Sequence, residues 1–210
     1  MASAKKKYYV VWKGRQTGVF DSWEKCKQQI GGFTGAVYKS FSSQQQANIA
    51  FENPAQNFIG KPLFVSELSA QQLEKIGKPI PESICVDAAF NGKEMEYKGV
   101  YTKDKKELFR SGIFEDATNN IGEFLAIVHA LGYLKKQNSK APVYSDSITA
   151  MKWVRDKHAN TKLTTTKKNQ SLFYLIERAE KWLKNNPYVN KLLKWETKAW
   201  GENPADFGRK

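Results

Sequence analysis

Two carboxylates lie in otherwise apolar surroundings, where an acidic side chain has to have a purpose. Asp87 occurs within SICVDAAF, residues 83–90, which predicts a buried β-strand. Glu123 falls on the same helical stripe as Ile127 and Leu131, both of which are typical core residues. Because burying a carboxylate is costly unless a partner compensates for it, we expect both acids to serve in binding or catalysis.

Two further acids extend this pattern. Asp146 ends the predicted strand in APVYSD, at a strand-to-helix junction of the kind where open α/β sheets bind ligands. Asp206 follows Glu202 by four residues, so the two share a face if ENPADFG is helical. Ordinary interpretations also exist: a helix N-cap for Asp146, a first-turn acid for Glu123 and a solvated chain end for Asp206.

Taken together, the four acids predict a metal site. In the expected fold they meet at one edge of a sheet, and the sequence shows no obvious positive side chain to compensate them. Their repulsion would be severe unless cations occupied the site. Oxygen ligands without a Cys or His cluster favour Mg²⁺, with Mn²⁺ as a substitute. Two such ions about 4 Å apart are the arrangement that drives in-line phosphodiester hydrolysis.

Positioning these acids requires an α/β scaffold, and the hydrophobic pattern from residue 83 onward predicts one. Three strands come first, in SICVDAAF, EMEYKGVYTK and KELFRSGIFE. A helix over about residues 120–136, the strand APVYSD, two more helices, a strand in NKLLKWET and a short terminal helix in NPADFGR follow. Antiparallel strands followed by βαβ units predict a mixed five-stranded sheet flanked by helices.

The chain before this scaffold divides in two. Residues 5–51 predict a small α+β domain with the order ββαβα, and eight Lys or Arg residues face two acids up to residue 51. Residues 52–82 predict a linker, because Pro and Gly at both of its ends favour a semi-stiff tether around a short helix in SAQQLEKIG. The larger α/β domain then spans residues 83–210.

The overall composition favours an anionic partner. Among 210 residues, 34 are Lys or Arg and 21 are Asp or Glu, a net charge of +13. Nucleic acid is the commonest partner for such a charge, and an acidic membrane surface is the weaker alternative. No apolar run reaches the roughly 20 residues of a membrane span, and no signal peptide is evident. Cys26 and Cys85 lie far apart, so we expect two reduced thiols in a cytoplasmic protein.

The motifs that carry these acids resemble those of a known family. CVDAAF, TNNIGEFLAIVHAL, VYSDSITAMKWV and WGENPADFGRK, in this order, resemble the type 1 ribonuclease H family. YYVVWKGRQTGVFDSWEKC and GFTGAVYKSF are similar to that family's hybrid-binding domain, which also occurs in caulimovirus viroplasmin. TNN ahead of GE, and the ending ADFGRK, point to the bacterial branch. The resemblance implies a hybrid-binding domain over residues 5–51 and a ribonuclease H-like catalytic domain over residues 83–210.

The resemblance also implies roles for individual residues. It implies that four acids bind two Mg²⁺ ions and act in catalysis, with a fifth acid assisting metal handling and product release: Asp87, Glu123, Asp146 and Asp206, with Glu202 as the fifth. It further implies substrate contacts in both domains: Thr118, Asn119, Asn120 and Thr197 in the larger one, and Tyr9, Trp23 and Lys39 in the smaller one. For Tyr9 and Trp23 the alternative is a place in the small domain's core.

The resemblance implies an endonuclease that hydrolyses the RNA strand of RNA–DNA hybrids and leaves 5′-phosphate and 3′-hydroxyl ends. The expected partner is an RNA–DNA hybrid, with double-stranded RNA as a second partner, and we expect a monomer that does not bind membranes. The alternative is an inactive protein that binds hybrids or double-stranded RNA. Against it, a decayed site has no reason to retain repelling carboxylates.

Overall fold

The structure is a computed structural model that describes residues 7–60, 64, 66 and 68–208. Residues 5 and 6 of the predicted small domain, including two of its lysines, lie outside the described residues, as do five residues of the predicted linker and the last two of the ADFGRK ending. The chain forms two compact units, Met1–Val65 and Ser66–Lys210.

The first unit has the predicted order of elements. It comprises strand β1 (Tyr8–Lys13), strand β2 (Gly18–Phe20), helix α1 (Trp23–Ile30), strand β3 (Val37–Phe41) and helix α2 (Gln44–Phe51), followed by a 3₁₀ turn (Ala55–Asn57). The sheet is antiparallel with the order β2-β1-β3. Ser22 and Ser43 cap the two helices, because their side chains accept hydrogen bonds from the backbone N–H groups three residues later.

The two faces of this small sheet differ. Val10 packs with Phe41 and Phe58 in the core on the α2 side. Val10 pairs with Lys39 and Val11 with Tyr38 across the β1–β3 ladder. Since directly opposite residues point to the same face of a sheet, Lys39 lies on the Val10 face, and Tyr38 lies on the other face with Val11.

The second unit contains the larger sheet. Its elements are α3 (Ala70–Ile76), β4 (Ile84–Phe90), β5 (Glu94–Tyr101), β6 (Glu107–Arg110), β7 (Phe114–Glu115), α4 (Asn119–Lys136), β8 (Val143–Ser145), α5 (Ile148–Asp156), α6 (Gln170–Asn185), β9 (Leu192–Lys194) and α7 (Thr197–Trp200). The strand order is β6-β5-β4-β8-β9, and β7 pairs with β5. The first three strands are antiparallel and β4, β8 and β9 are parallel, so the predicted mixed sheet flanked by helices is confirmed.

One predicted strand is divided into two. KELFRSGIFE forms β6 and β7, with residues 111–113 between them outside any strand. Ser111 causes the break, because its side-chain oxygen accepts the Tyr97 N–H at 2.8 Å and its own N–H donates to the Tyr97 carbonyl at 2.8 Å. A side chain thus replaces one backbone partner of β5, and β7 pairs separately with the start of that strand.

Helix α4 forms the centre of the main core. Eleven of its residues are buried, and they pack against one face of the sheet together with residues of α5 and α6. A second core lies around Cys85, Tyr144 and Trp195. Among the described residues, no helix combines the length and apolar character that crossing a membrane requires.

The C-terminal helix predicted in NPADFGR does not form. Residues 201–208 form no helix, and the short helix α7 ends before them at Trp200. Gly201 has a φ of 85°, which ends α7 in a conformation that favours glycine. Glu202 and Asp206 therefore do not share a helical face, and other contacts position them.

Part of the predicted linker packs within the second unit. Helix α3 begins with a capping box formed by Ser69 and Gln72. The Ser66 hydroxyl donates to the Lys198 carbonyl at 2.6 Å, and the Trp200 indole N–H donates to the Gly77 carbonyl at 2.8 Å. These contacts tie the start of the unit to α7, just before the segment that carries Glu202 and Asp206.

Candidate active site

Asp87 lies on β4, the central strand of the larger sheet. Its side chain is only 8% exposed, and it pairs with Lys98 across the β4–β5 ladder. Strands β5 and β8 flank β4 on its two sides, so backbone pairing fixes the position of this acid. A buried carboxylate on a rigid central strand is what the sequence predicted.

Glu123 lies on α4, close to β4 because the preceding residue is glycine. A Cβ atom at Gly122 would lie 2.7 Å from the Ala88 Cβ and 2.7 Å from the Met95 Sδ, so any side chain would push the helix away. Glu123 is 3% exposed. Its Oε1 accepts the Ala88 N–H at 3.3 Å, and its Oε2 accepts a long hydrogen bond from the Ser145 hydroxyl at 3.5 Å.

Asp146 directly follows β8. The helix N-cap is Ser147, whose hydroxyl accepts the Ala150 N–H at 3.2 Å, so the N-cap interpretation of Asp146 is wrong. With the capping role taken by its neighbour, Asp146 is available to the site. Ser145 and Ser147 also bond to each other, because the Ser145 hydroxyl accepts the Ser147 N–H at 3.1 Å.

Asp87, Glu123 and Asp146 converge. One carboxylate oxygen from each lies within 4.8 Å of the other two. Burial raises the pKa of Asp87, and the charges of Asp146 and Asp206 raise it further. Burial likewise raises the pKa of Glu123, as do the charges of Asp87 and Asp146. Without a cation, the cluster therefore retains protons well above the ordinary range of carboxylates.

Asp206 and Glu202 lie at the edge of this cluster. Asp206 is not among the three acids whose oxygens converge, but its charge raises the pKa of both Asp87 and Asp146. Partial burial is the main cause that raises the pKa of Asp146, and Glu202 adds to it, whereas Lys194 lowers it. A cavity of about 400 Å³ is lined by Asp87, Asn119 and Asp206 among others.

The predicted substrate-contact residues of the larger unit fall into two groups. Thr118 caps α4, since its hydroxyl accepts the Ile121 N–H at 3.4 Å, and the Asn119 side chain donates to Glu123 at 3.5 Å. Asn120 is exposed beside them on the first turn. Thr197 lies on the first turn of α7, not on a strand as expected, and is half-buried. Thr118 and Asn119 thus have structural contacts at the site.

In the small unit, the structure brings Tyr9 and Trp23 together on an exposed face. Their ring centroids are 5.6 Å apart, and Tyr38 adds a third ring 6.0 Å from Trp23. Trp23 is 40% exposed and Tyr38 is 41% exposed, so neither is an ordinary core residue. We call Tyr9, Trp23 and Tyr38 the aromatic face.

Lys39 does not join the aromatic face. It points to the opposite side of the small sheet, where its ammonium group donates to the Phe58 carbonyl at 2.6 Å. Sequence analysis missed Tyr38, although the alternation of side chains along a strand places residue 38, and not residue 39, on the side of Tyr9.

The larger site also contains residues that the sequence did not single out. Ser145 contacts Glu123 directly. Asn203 is buried and donates to the Val86 carbonyl at 2.8 Å, next to Asp87. Both were missed because a single buried Ser at the end of a strand, or a single buried Asn in irregular chain, gives no periodic signal, and only the three-dimensional contacts reveal them.

The donor set fits a hard divalent cation. Three carboxylates can offer oxygen ligands, and the groups that donate hydrogen bonds to Glu123 include an amide, a hydroxyl and a backbone N–H group. Oxygen-only sites of this kind suit Mg²⁺ or Mn²⁺ and not zinc. The raised pKa values are consistent with a cluster that needs a cation to be fully ionised.

Two family models match the chain. The model described as "Ribonuclease H1 N-terminal domain" matches residues 7–51, and the model described as "RNase H" matches residues 82–196. The second match includes Asp87, Glu123 and Asp146 and ends before Glu202 and Asp206.

Curated relatives match parts of the chain. Ribonuclease H of Saccharomyces cerevisiae is 42% identical over 55 residues, covering 26% of this chain and 14% of that protein. Ribonuclease H1 of Mus musculus is 45% identical over 40 residues, covering 19% of this chain and 14% of that protein. The transactivator/viroplasmin protein of Cestrum yellow leaf curling virus is 25% identical over 118 residues, or 52% of this chain and 21% of that protein. The chain thus spans about a fifth of these relatives or less.

Solved structures give weaker likenesses. RNase H1 from Halobacterium salinarum has a TM-score of 0.34 at 18% identity, covering 54% of this chain and 83% of that one. LC11-RNase H1 in complex with an RNA/DNA hybrid has a TM-score of 0.30 at 17% identity, covering 53% of this chain and 81% of that one. The family assignment rests instead on the "RNase H" model, which matches more than half of the residues, and on the N-terminal model. The chain belongs to the type 1 ribonuclease H family.

Proposed function

We propose that this protein is an endonuclease that hydrolyses the RNA strand of RNA–DNA hybrids with two Mg²⁺ ions, leaving 5′-phosphate and 3′-hydroxyl ends. One observation carries the proposal: oxygens of Asp87, Glu123 and Asp146 converge within 4.8 Å, inside the segment that matches the "RNase H" model. Phosphodiester hydrolysis is the chemistry that an oxygen-lined pair of divalent cations serves.

The residues of the site have separate roles in metal binding and catalysis. Asp87, Glu123 and Asp146 supply the ligand oxygens, and Asp206 adds negative charge at the edge of the cluster. The Ala88 N–H and the Ser145 hydroxyl hold the two oxygens of Glu123, so that this carboxylate cannot rotate freely. When bound, the metal ions supply an activated water and charge stabilisation for the leaving oxygen. Glu202 assists metal handling and product release from an exposed position.

The substrate side of the proposal involves both units. Asn119 lines the acidic cavity, and Asn120 is exposed one residue further on the same helical turn. Side chains at such a position reach the minor groove of a hybrid, where the 2′-hydroxyl distinguishes RNA from DNA. Thr118 orients the start of α4, and Thr197 contacts a phosphate of the substrate.

The small unit serves as a hybrid-binding domain. The aromatic face offers three rings that suit sugar and base surfaces, and lysines and arginines supply the charge for phosphates. Because Lys39 lies on the opposite face, its ammonium group must leave the Phe58 carbonyl to reach a phosphate beside the aromatic face.

An inactive binding protein is the second candidate. The match to a viroplasmin protein over 118 residues favours it, because that relative is not named as a nuclease. Three converging carboxylates argue against it, since a binding protein has no use for a cluster of repelling carboxylates, two of them buried.

Substitution of Asp87 separates the two candidates. In Mg²⁺ buffer, the natural protein should shorten the RNA strand of an end-labelled hybrid, and Asp87→Asn should lose at least about 10³-fold in rate because it removes a cluster oxygen. Hybrid binding in a gel-shift assay should survive in Asp87→Asn. Asp156→Asn, which changes an exposed acid at the end of α5, is the matched control and should cleave normally. A gel shift without cleavage by the natural protein would favour the binding protein.

A further inference from the structure

Asp206 lies on a segment without helix or strand, and something must hold it near the acidic cluster. Residues 201–208 follow α7 as irregular chain. Yet Asp206 lines the same cavity as Asp87, and its carboxylate accepts the Gly208 N–H at 3.1 Å. An irregular segment carries a ligand reliably only where specific contacts replace secondary structure.

Asn203 supplies the first of these contacts. The side chain is 5% exposed, and its amide group donates to the Val86 carbonyl at 2.8 Å. The β4–β8 ladder ends at the pair Cys85–Tyr144, so Asn203 bonds to β4 directly beyond the last paired residue. Val86 immediately precedes Asp87, which places the anchor next to the central acid.

The same side chain shapes the turn that presents Asp206. The Asn203 Oδ1 accepts the Ala205 N–H at 2.9 Å, and the Asn203 backbone carbonyl accepts the Asp206 N–H at 2.8 Å. Ala205 is fully buried beneath this turn. One residue thus bonds to the strand that carries Asp87 and to the backbone that carries Asp206.

A second set of contacts holds the C-terminal segment at Asp206 and Phe207. Lys98, opposite Asp87 on β5, donates to the Asp206 carbonyl at 3.3 Å, and its ammonium lies 4.4 Å from the Phe207 ring centroid. Arg110 approaches the same ring at 5.1 Å. The segment is therefore tied to β4 before Asp206 and to β5 and β6 after it.

We propose that Asn203 is a positioning residue, which holds Asp206 against the metal cluster by tying the C-terminal segment to the Val86 carbonyl. This inference rests on the proposed function, because it assumes that Asp206 serves the metal site. Asn203 acts through Asp206, because its side chain bonds to backbone groups. Its role is to set the distance between two acids that come from opposite ends of the second unit.

Mn²⁺ binding to the full chain, measured by isothermal titration calorimetry, tests this role. Asn203→Ala removes the bond to Val86, and such outer contacts typically change metal affinity by about 10- to 100-fold. We expect Mn²⁺ binding to weaken by that factor and cleavage to recover when the Mn²⁺ concentration is raised. Asn190→Ala is the matched control: Asn190 is equally buried and donates to the Ser139 and Ala141 carbonyls at 2.9 and 2.8 Å, but it is not at the site.

The outcomes separate a positioning role from a merely structural one. If both variants lose thermal stability but only Asn203→Ala loses Mn²⁺ affinity, the inference holds. If Asn203→Ala binds Mn²⁺ within about twofold of the natural protein, the inference is overturned. Should Asn203→Ala not fold, Asn203→Ser decides by the same readouts, since the hydroxyl can still accept the Ala205 N–H but is too short to reach Val86.

Asp206→Asn distinguishes failure of this inference from failure of the proposed function. If Asp206→Asn loses Mn²⁺ affinity and cleavage while Asn203→Ala keeps both, only the positioning role is wrong. If Asp206→Asn itself binds Mn²⁺ and cleaves normally, the metal role of Asp206 in the proposed function is wrong, and the inference falls with it.

Discussion

At the scale of single residues, each of the three converging acids is positioned by a different feature of the fold. Asp87 is fixed by the pairing of its strand with β5, where it lies opposite Lys98, Glu123 by the Ala88 N–H and the Ser145 hydroxyl, and Asp146 by its place before the N-cap Ser147. None of these three features depends on a bound metal. The cluster is therefore preorganised, and its repulsion is part of the folded state.

This repulsion predicts a dependence of stability on pH. The unfolded chain loses carboxyl protons near pH 4, whereas burial raises the pKa of Asp87 and Glu123 in the folded chain. Between these values the folded state binds more protons, so the free energy of unfolding falls as the pH rises. In chelator, the free energy of unfolding of the natural protein should fall between pH 5 and pH 8, and that of Asp87→Asn should fall less. The two decreases should differ by at least about 1 kcal/mol, which corresponds to about one pKa unit.

Chemical unfolding at both pH values measures this difference. Asp156→Asn should follow the natural protein, because its carboxylate is exposed. Added Mg²⁺ should reduce the pH dependence of the natural protein but not that of Asp87→Asn. Parallel pH profiles for the natural protein and Asp87→Asn in chelator would contradict a raised pKa of Asp87 in the folded chain.

The convergence of Asp87, Glu123 and Asp146 could be predicted from sequence, because periodicity places Asp87 and Glu123 on buried faces and Asp146 lies at a strand-to-helix junction. The face of Lys39 could have been predicted in the same way, since it follows Tyr38 on a strand. Asn203 could not, because its partner is a backbone carbonyl 117 residues away in sequence.

At the scale of elements, the contact between α4 and β4 determines where Glu123 lies. A Cβ at Gly122 would overlap Ala88 and Met95, whereas a Cβ at Gly132, ten residues later on the same helix, would meet nothing within 4 Å. We therefore expect Gly122→Ala to lose about 1–3 kcal/mol of stability through overpacking. Gly132→Ala should gain up to about 1 kcal/mol from helix propensity.

Urea unfolding of both variants, together with a cleavage assay, tests this contact. Gly122→Ala should also lose cleavage activity, because moving α4 displaces Glu123 from the Ala88 N–H. Gly132→Ala is the control for the effect of alanine on the helix. Equal stabilisation by both substitutions would contradict the close approach of α4 to β4.

Two elements differ from their predicted form, and both differences come from side chains that bond to backbone. Ser111 divides the third strand of the sheet by bonding to Tyr97. The C-terminal helix is replaced by a turn that Asn203 stabilises. Local sequence favours helix in NPADFGR, with Pro204 at a first-turn position, but a contact with a distant strand outweighs that preference.

At the scale of the whole molecule, we expect the small unit to bind hybrids through its charge and its aromatic face. Residues 1–51 carry eight Lys or Arg and two acids. Removing residues 1–65 takes away this unit while retaining the Ser66 bond to Lys198. The shortened chain should bind a hybrid more weakly and with a shallower salt dependence, because each lost phosphate contact lowers the logarithmic slope by about 0.9.

Fluorescence anisotropy over a range of salt concentrations measures this slope. Trp23→Ala in the full chain should weaken binding with little change in slope, since a ring contact releases no counterions. Tyr174→Ala, which removes an exposed ring on α6, is the matched control and should bind normally. The same slope for the full and shortened chains would contradict a phosphate-binding role for the small unit.

We propose that the acidic cluster binds divalent cations in order to cleave RNA opposite DNA. Titration of Mg²⁺ and Mn²⁺ against three duplexes of one sequence, an RNA–DNA hybrid, an RNA duplex and a DNA duplex, tests this role. We expect RNA in the hybrid to be cleaved only with a divalent cation, the DNA duplex to stay intact and Asp87→Asn to be inactive throughout. Cleavage of the hybrid in chelator, or undiminished cleavage by Asp87→Asn, would contradict it.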